Sequence, residues 1–203
     1  MSTRIGLFAG LMVAVFASVL MAQGEEPAKR PAKPEPAKSP LVATLIANKD
    51  TYTIPEGQRG KEFAAKVKSP SKGETPEPPA VDMVLQLKNP TDKSITIMVD
   101  SDAGSLDLKL EGPGAVIGDG RRIFTREFRL GKPVEIAPGK THEIPIKALR
   151  FGFRGVAQHA YWTEPGTYKI VASLRWPDPF DDSGKGTGIW QATSEPIEVT
   201  VKE

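Results

Sequence analysis

The chain has no cysteine and only two histidines among its 203 residues. Without cysteine there is no disulfide framework, no thiolate metal site, no thiol nucleophile and no lipidated N-terminal Cys. With so little histidine, acid–base or nucleophilic chemistry would fall to carboxylates, Ser or Lys, and no spacing in the chain singles out a pair. An excess of charge is lacking too. Lys and Arg number 27 against 25 Asp and Glu, a net +2, which is no electrostatic footprint for nucleic acid or for an anionic membrane. Long helical periodicity is missing throughout. What is plentiful is Gly and Pro, 19 of each, and that suits a turn-rich all-β chain better than a helical one.

The N-terminus divides into two segments. Residues 1–22 carry Arg4, then an apolar run from Ile5 to Met21, then small residues at Ala22 and Gly24. This is the pattern of a secretory signal peptide. The alternative is an uncleaved membrane anchor, since the run is nearly long enough to span a bilayer. Membrane contact is expected only in that case. Residues 23–40 repeat Pro-Ala-Lys from Pro27, Pro31 and Pro36 and hold no apolar residue larger than Ala. Such a segment cannot order itself by burial and is expected to be a disordered, extended spacer. The expected location is therefore exported: periplasmic, cell-envelope or extracellular.

From residue 41 to 203 the pattern is that of strands. The segment from His159 to Trp176 organises the rest: a Tyr161-Trp162 pair, a turn at Glu164-Pro165-Gly166, then Tyr168, Ile170, Ala172 and Leu174 on one face. Side chains alternate across a strand, so one face is buried and the other wet. Leu41–Ala47, Val81–Lys88, Ile95–Val99, Leu106–Glu111 and Pro196–Val201 alternate in the same way. Further strands are expected around Phe124–Leu130, Val134–Ala137 and Ile144–Ile146. Lys61–Lys68 is the one candidate helix, short, with Phe63 and Val67 on a common side. Ser69–Ala80, rich in Pro, Ser and Glu, reads as a surface loop. About nine strands and at most one short helix predict an immunoglobulin-like antiparallel β-sandwich over residues 41–203.

A Tyr just after a Pro-Gly turn at the head of a late strand resembles the tyrosine corner of immunoglobulin-like sandwiches. Asn89-Pro90-Thr91-Asp92-Lys93 between two strands, Ala137-Pro138-Gly139-Lys140, and Glu164-Pro165-Gly166-Thr167-Tyr168 together resemble exported bacterial immunoglobulin-like or fibronectin-III-like domains. More narrowly, Gly112-Pro113-Gly114-Ala115-Val116, Phe151-Gly152-Phe153-Arg154-Gly155 and Ala160–Gly166 are similar to a group of exported planctomycete proteins. The resemblance implies a fold and no catalytic residues. The chain departs from antibody-type domains in lacking both cysteines, with Ile170 standing two residues after the corner tyrosine.

Three catalytic or nucleic-acid motifs fail on inspection. His142-Glu143 begins an HExxH zinc helix, but Ile146 stands where the second His is needed. Arg150-Phe151-Gly152-Phe153 lacks the Gly of an RNA-binding RNP1 strand, and two core aromatics beside solvated Arg residues explain it better. Gly184–Gly188 lacks the spacing of a phosphate loop.

Two groups of residues remain. Asp178, Asp181 and Asp182 on the loop before the last strand, and Asp100 and Asp102 on an earlier loop, offer the hard oxygen donors that Ca²⁺ accepts in loose geometry. Acidic turn residues equally serve local hydrogen bonds. No cofactor is called for beyond that possible ion. The aromatic residues Tyr161, Trp162, Phe180 and Trp190 gather around the organising strand and are the candidate binding surface, set against their use as core. The expected function is a non-catalytic exported binding or structural module of the cell envelope, with an envelope protein or polysaccharide as partner and no nucleic acid. An inhibitor of a secreted hydrolase, presenting a loop such as Ser69–Pro79, is the alternative. A carboxylate-dependent polysaccharide hydrolase is a third.

Overall fold

The alternation of apolar and polar residues is realised as β-structure along most of the chain. The computed structural model describes residues 37–70, 75–99, 105–119, 131–153, 156–177 and 188–203, all of them within the unit Pro34–Glu203. In chain order the strands are β1 (Ala37–Lys38), β2 (Val42–Ala47) and β3 (Thr51–Thr53), followed by the helix α1 (Gly60–Lys68). Next come β4 (Ala80–Lys88), β5 (Ile95–Val99), β6 (Ser105–Glu111), β7 (Ala115–Asp119), β8 (Lys132–Ile136) and β9 (Thr141–Ala148). The series closes with β10 (Arg150–Phe153), β11 (Val156–Trp162), β12 (Gly166–Pro177), β13 (Ile189–Thr193) and β14 (Ile197–Lys202). The protein is an all-β, sandwich-like fold with one short helix among the described residues. It has more strands than the nine expected.

The larger sheet runs β1-β13-β12-β6-β10-β11-β7, with β14 also pairing β12 and β3 pairing β14. Against it lies the antiparallel sheet β2-β4-β9, with a two-stranded piece, β5-β8, beside them. Two pairs are parallel, β1 with β13 and β3 with β14. The organising strand, β12, is central. Tyr168, Ile170, Ala172, Leu174 and Trp176 are buried while the residues between them are exposed or half-buried, as period two requires. Met83, Leu85 and Leu87 of β4 belong to the same apolar cluster, as do Val199 and Val201 of β14 and Ile97 of β5. Each large aliphatic side chain taken from water in this way contributes roughly 1.5–3 kcal/mol.

The turn signals have physical jobs. Asn89 is wholly buried, and its amide donates to the carbonyls of Lys93 and Ile136, each at 2.7 Å. Its Oδ1 accepts from the Thr91 backbone N–H at 3.0 Å and from the Thr91 hydroxyl at 2.7 Å, the usual self-bonding of an Asn turn. Tyr168 Oη stands against the carbonyls of Pro113 and Glu164, the latter at 2.7 Å. A tyrosine corner is defined by that bond back to the upstream backbone.

Two boundaries differ from expectation. Ala37 and Lys38 pair with Trp190 and Gln191, and the Ser39 N–H donates to the Gln191 carbonyl at 3.0 Å. The end of the Pro-rich segment thus belongs to the domain, because backbone pairing needs no apolar side chain. The strand β7 follows a Gly-Pro-Gly turn and was not expected. Its Gly118 lets α1 approach: a Cβ there would lie 2.6 Å from Val67 Cγ1 and 2.8 Å from the Val67 carbonyl oxygen.

Candidate functional site

Residues Thr75–Pro79 have the sequence Thr-Pro-Glu-Pro-Pro. Proline has no N–H, so this stretch is almost purely an acceptor of backbone hydrogen bonds. The donors must come from the body of the domain, and they do. Tyr161 Oη donates to the Pro76 carbonyl at 2.6 Å, and Gln58 Nε2 to the Glu77 carbonyl at 2.9 Å. The Leu149 N–H donates to the Pro79 carbonyl at 3.0 Å. Thr75 returns one bond, from its hydroxyl to the Asp119 carbonyl at 3.4 Å. Pro78 and Pro79 are buried. The segment is a strap laid across β7, β10 and β11, so this part of the Ser69–Pro79 loop is not extended for presentation to a protease. The rest of that loop, residues 71–74, lies outside the described residues.

Under the strap sits a polar network. His159 and Arg150 face each other across the β10–β11 pair. Arg150 Nε donates to His159 Nε2 at 3.2 Å, and Arg150 Nη2 to Glu77 Oε2 at 3.1 Å. A guanidinium can only donate, so Nε2 is the acceptor and Nδ1 carries the imidazole proton. Nδ1 lies 3.3 Å from the Pro76 carbonyl and 3.2 Å from Tyr161 Oη. His159 is buried, and burial first, then the Arg150 charge, hold its pKa below the ordinary 6.5. Burial, reinforced by the Glu77 carboxylate, pushes Tyr161 up to about 12. The network is neutral at its centre, with its charged pair at the rim.

Beside it lies the outer strand of the large sheet. β7 pairs only with β11 among the described residues. The Thr163 N–H donates to the Gly114 carbonyl, and in an antiparallel ladder bonded residues alternate. Val116 and Gly118 are then the next to bond β11, while Ala115, Ile117 and Asp119 point their backbone groups away. The Ala115 N–H is taken by the Gly112 carbonyl and the Asp119 carbonyl by Thr75. Between those two caps, the Ile117 N–H and C=O have no ladder partner among the described residues, and its side chain is 46% exposed.

The aromatic surface expected from the sequence is corrected by the structure. Tyr161 and Trp162 are both completely buried. Trp162 packs in the main core between Tyr52, ring centroids 5.3 Å apart, and Tyr168 at 5.9 Å. Tyr161 points the other way, edge-on to Phe63 of α1 at 5.4 Å. Neither can touch a partner in the folded domain. Trp190 is half-buried against Trp176, 6.1 Å between centroids. Phe180 lies outside the described residues, as do Asp178, Asp181, Asp182, Asp100 and Asp102. Among the described residues no group of three or more His, Asp or Glu is placed to hold a metal ion. Nor is any helix among them long and apolar enough to cross a membrane. The strap network was missed in the sequence; its signal was the acceptor-only Pro run, together with a His and an Arg on the two arms of one hairpin.

Compared with known proteins, the chain matches no protein-family model, no curated protein and no solved structure.

Proposed function

We propose that the protein is a non-catalytic, exported module of the cell envelope that binds an extended polypeptide segment along the edge of β7. The observation that carries this reading is the open backbone pair at Ile117, flanked by an exposed apolar side chain on an edge strand. Adding a strand to such an edge satisfies backbone groups on both sides, and side-chain pockets then select the partner. Burial of Tyr161 and Trp162 withdraws support from the aromatic cluster and favours this edge as the reading. The β9 edge of the other sheet is less suited, since Pro145 and Lys147 interrupt it, two devices that discourage pairing.

The test is recovery of partners from an envelope extract by the exported chain, alongside Ile117→Pro and Ile117→Lys. Among the described residues the ladder leaves the Ile117 N–H unbonded, so proline there removes a donor from the edge and keeps the β7–β11 pairing. One protein held by the parent in stoichiometric amount and lost by both variants supports strand addition. Equal recovery by all three rules the edge out. Recovery of polysaccharide alone assigns the module to glycan instead.

A further inference from the structure

We propose that His159 is a pH-operated latch on the Thr75–Pro79 strap: neutral imidazole holds the strap down, and its protonation lets the strap go. The geometry allows only one protonation state. Nε2 accepts from the Arg150 guanidinium at 3.2 Å, and Nδ1–H addresses Pro76 and Tyr161. A second proton on the ring would set an N–H against an N–H and a cation against a cation at Nε2.

Among the described residues, Glu77 and the Pro76 carbonyl favour that charge, and burial and Arg150 outweigh them. From β10, the facing charge is Arg150 itself. From the strap, Glu77 is the one carboxylate, and it already binds Arg150 Nη2 at 3.1 Å. From β11, Tyr161 is neutral and its hydroxyl is committed to the Pro76 carbonyl. From β7, Gly118 lies opposite His159 and contributes no side chain, and Asp119 lies opposite Gln158, its side chain on the other face of the strand. From α1, Phe63, Ala64 and Val67 pack around Tyr161 and supply no charge. The ring is already held below its ordinary pKa by burial and Arg150, so the latch is closed at neutral pH and opens in acid.

The relief available to a protonated ring is to turn away from Arg150, which takes Nδ1 from Pro76. The strap has few bonds to lose. Because three of its five residues are Pro, it has almost no backbone donor with which to re-anchor. Its departure uncovers the Leu149 N–H.

Amide hydrogen exchange on the full chain, corrected for intrinsic rates, tests the latch between pH 7.5 and pH 4. Two neighbouring amides serve as reporter and control: Leu149 N–H, which bonds the strap at Pro79, and Ala160 N–H, which bonds the Leu149 carbonyl within the sheet. The expected result is a loss of at least tenfold in Leu149 protection in acid while Ala160 stays protected. The midpoint should coincide with that of the His159 ring followed by NMR. Glu77→Gln should move both midpoints together to lower pH, since the Glu77 carboxylate favours the protonated ring. His159→Phe should make Leu149 protection independent of pH. Parallel loss at Leu149 and Ala160 would mean ordinary acid unfolding and overturn the latch. So would a Leu149 midpoint that departs from the His159 titration, a reading that needs only the parent protein.

Discussion

Tyr161 and Trp162 are adjacent in β11, point to opposite faces of it, and are both fully buried. A strand in a two-layer sandwich normally hides one face and wets the other. Here the second face is covered by α1, with Phe63 edge-on to Tyr161. The helix therefore builds a small second core, Phe63, Val67, Val116 and Tyr161, on the outer side of the large sheet.

The two cores should respond differently to truncation. Trp162→Ala empties the main core between Tyr52 and Tyr168 and is expected to cost about 3–5 kcal/mol. Phe63→Ala opens only the satellite core and should fall at or below the lower end of that range. Urea denaturation of both variants checks the order; a Phe63→Ala loss as large as that of Trp162→Ala would merge the two cores into one.

Gly118 sets the distance between α1 and β7. Gly118→Ala drives a methyl group into Val67, including its backbone carbonyl, and overpacking of this kind costs about 1–3 kcal/mol. Adding Val67→Ala removes the side-chain clash but not the carbonyl, so the double variant should recover only part of the loss. Full recovery in thermal denaturation would show that the backbone is free to move apart.

Asn89 joins two turns through four side-chain hydrogen bonds. Asn89→Ala leaves the buried Ile136 carbonyl without this donor, while the Lys93 carbonyl keeps the Thr91 hydroxyl, and should cost roughly 2–3 kcal/mol. Asn89→Asp, isosteric but with carboxylate oxygen in place of the donor, should be at least as damaging. A denaturation midpoint for Asn89→Asp near the parent's would show that the Ile136 carbonyl has another donor.

All three tyrosines, Tyr52, Tyr161 and Tyr168, have pKa values raised above 10.0, chiefly by burial, and Tyr161 reaches about 12. A phenol that ionises more easily when unfolded destabilises the fold as pH rises. The stability is whole below pH 10 and declines from there toward pH 12, because the unfolded chain releases its protons first. Absorbance at the phenolate band should therefore stay low through pH 10.5 and rise together with loss of tertiary structure. A tyrosine that titrates near 10 while the fold persists would contradict the burial.

Much of this architecture was legible in the sequence. The buried face of β12 followed from strict alternation, and the corner at Tyr168 from a Pro-Gly turn just before an inward tyrosine. Phe63 and Val67, four apart, marked the buried side of the helix. β7 was not legible, because Gly118 reads as a turn residue until the helix that needs its missing side chain is in place. The fate of Tyr161 was equally hidden. Period two assigns it the face opposite Trp162, but nothing local says that a helix about a hundred residues earlier will cover that face. The strap escaped notice for a related reason: a Pro-rich stretch looks like solvent-exposed loop, and the donors that fix it are scattered over α1, β10 and β11 and their flanks.

The parallel pairing of β3 with β14 also has a mechanical consequence. β14 runs toward the C-terminus and β3 runs the same way from the N-terminal side. Tension between the Pro-rich segment and the last strand therefore pulls the two along opposite directions of a shared axis. The bonds joining Thr51–Thr53 to Thr200–Lys202 then strain together in shear and do not peel one at a time. The short pair of Ala37–Lys38 with β13 is also parallel, so a pull arriving from the N-terminal side meets that small contact first, the β2–β4 pair next and the β3–β14 contact behind both.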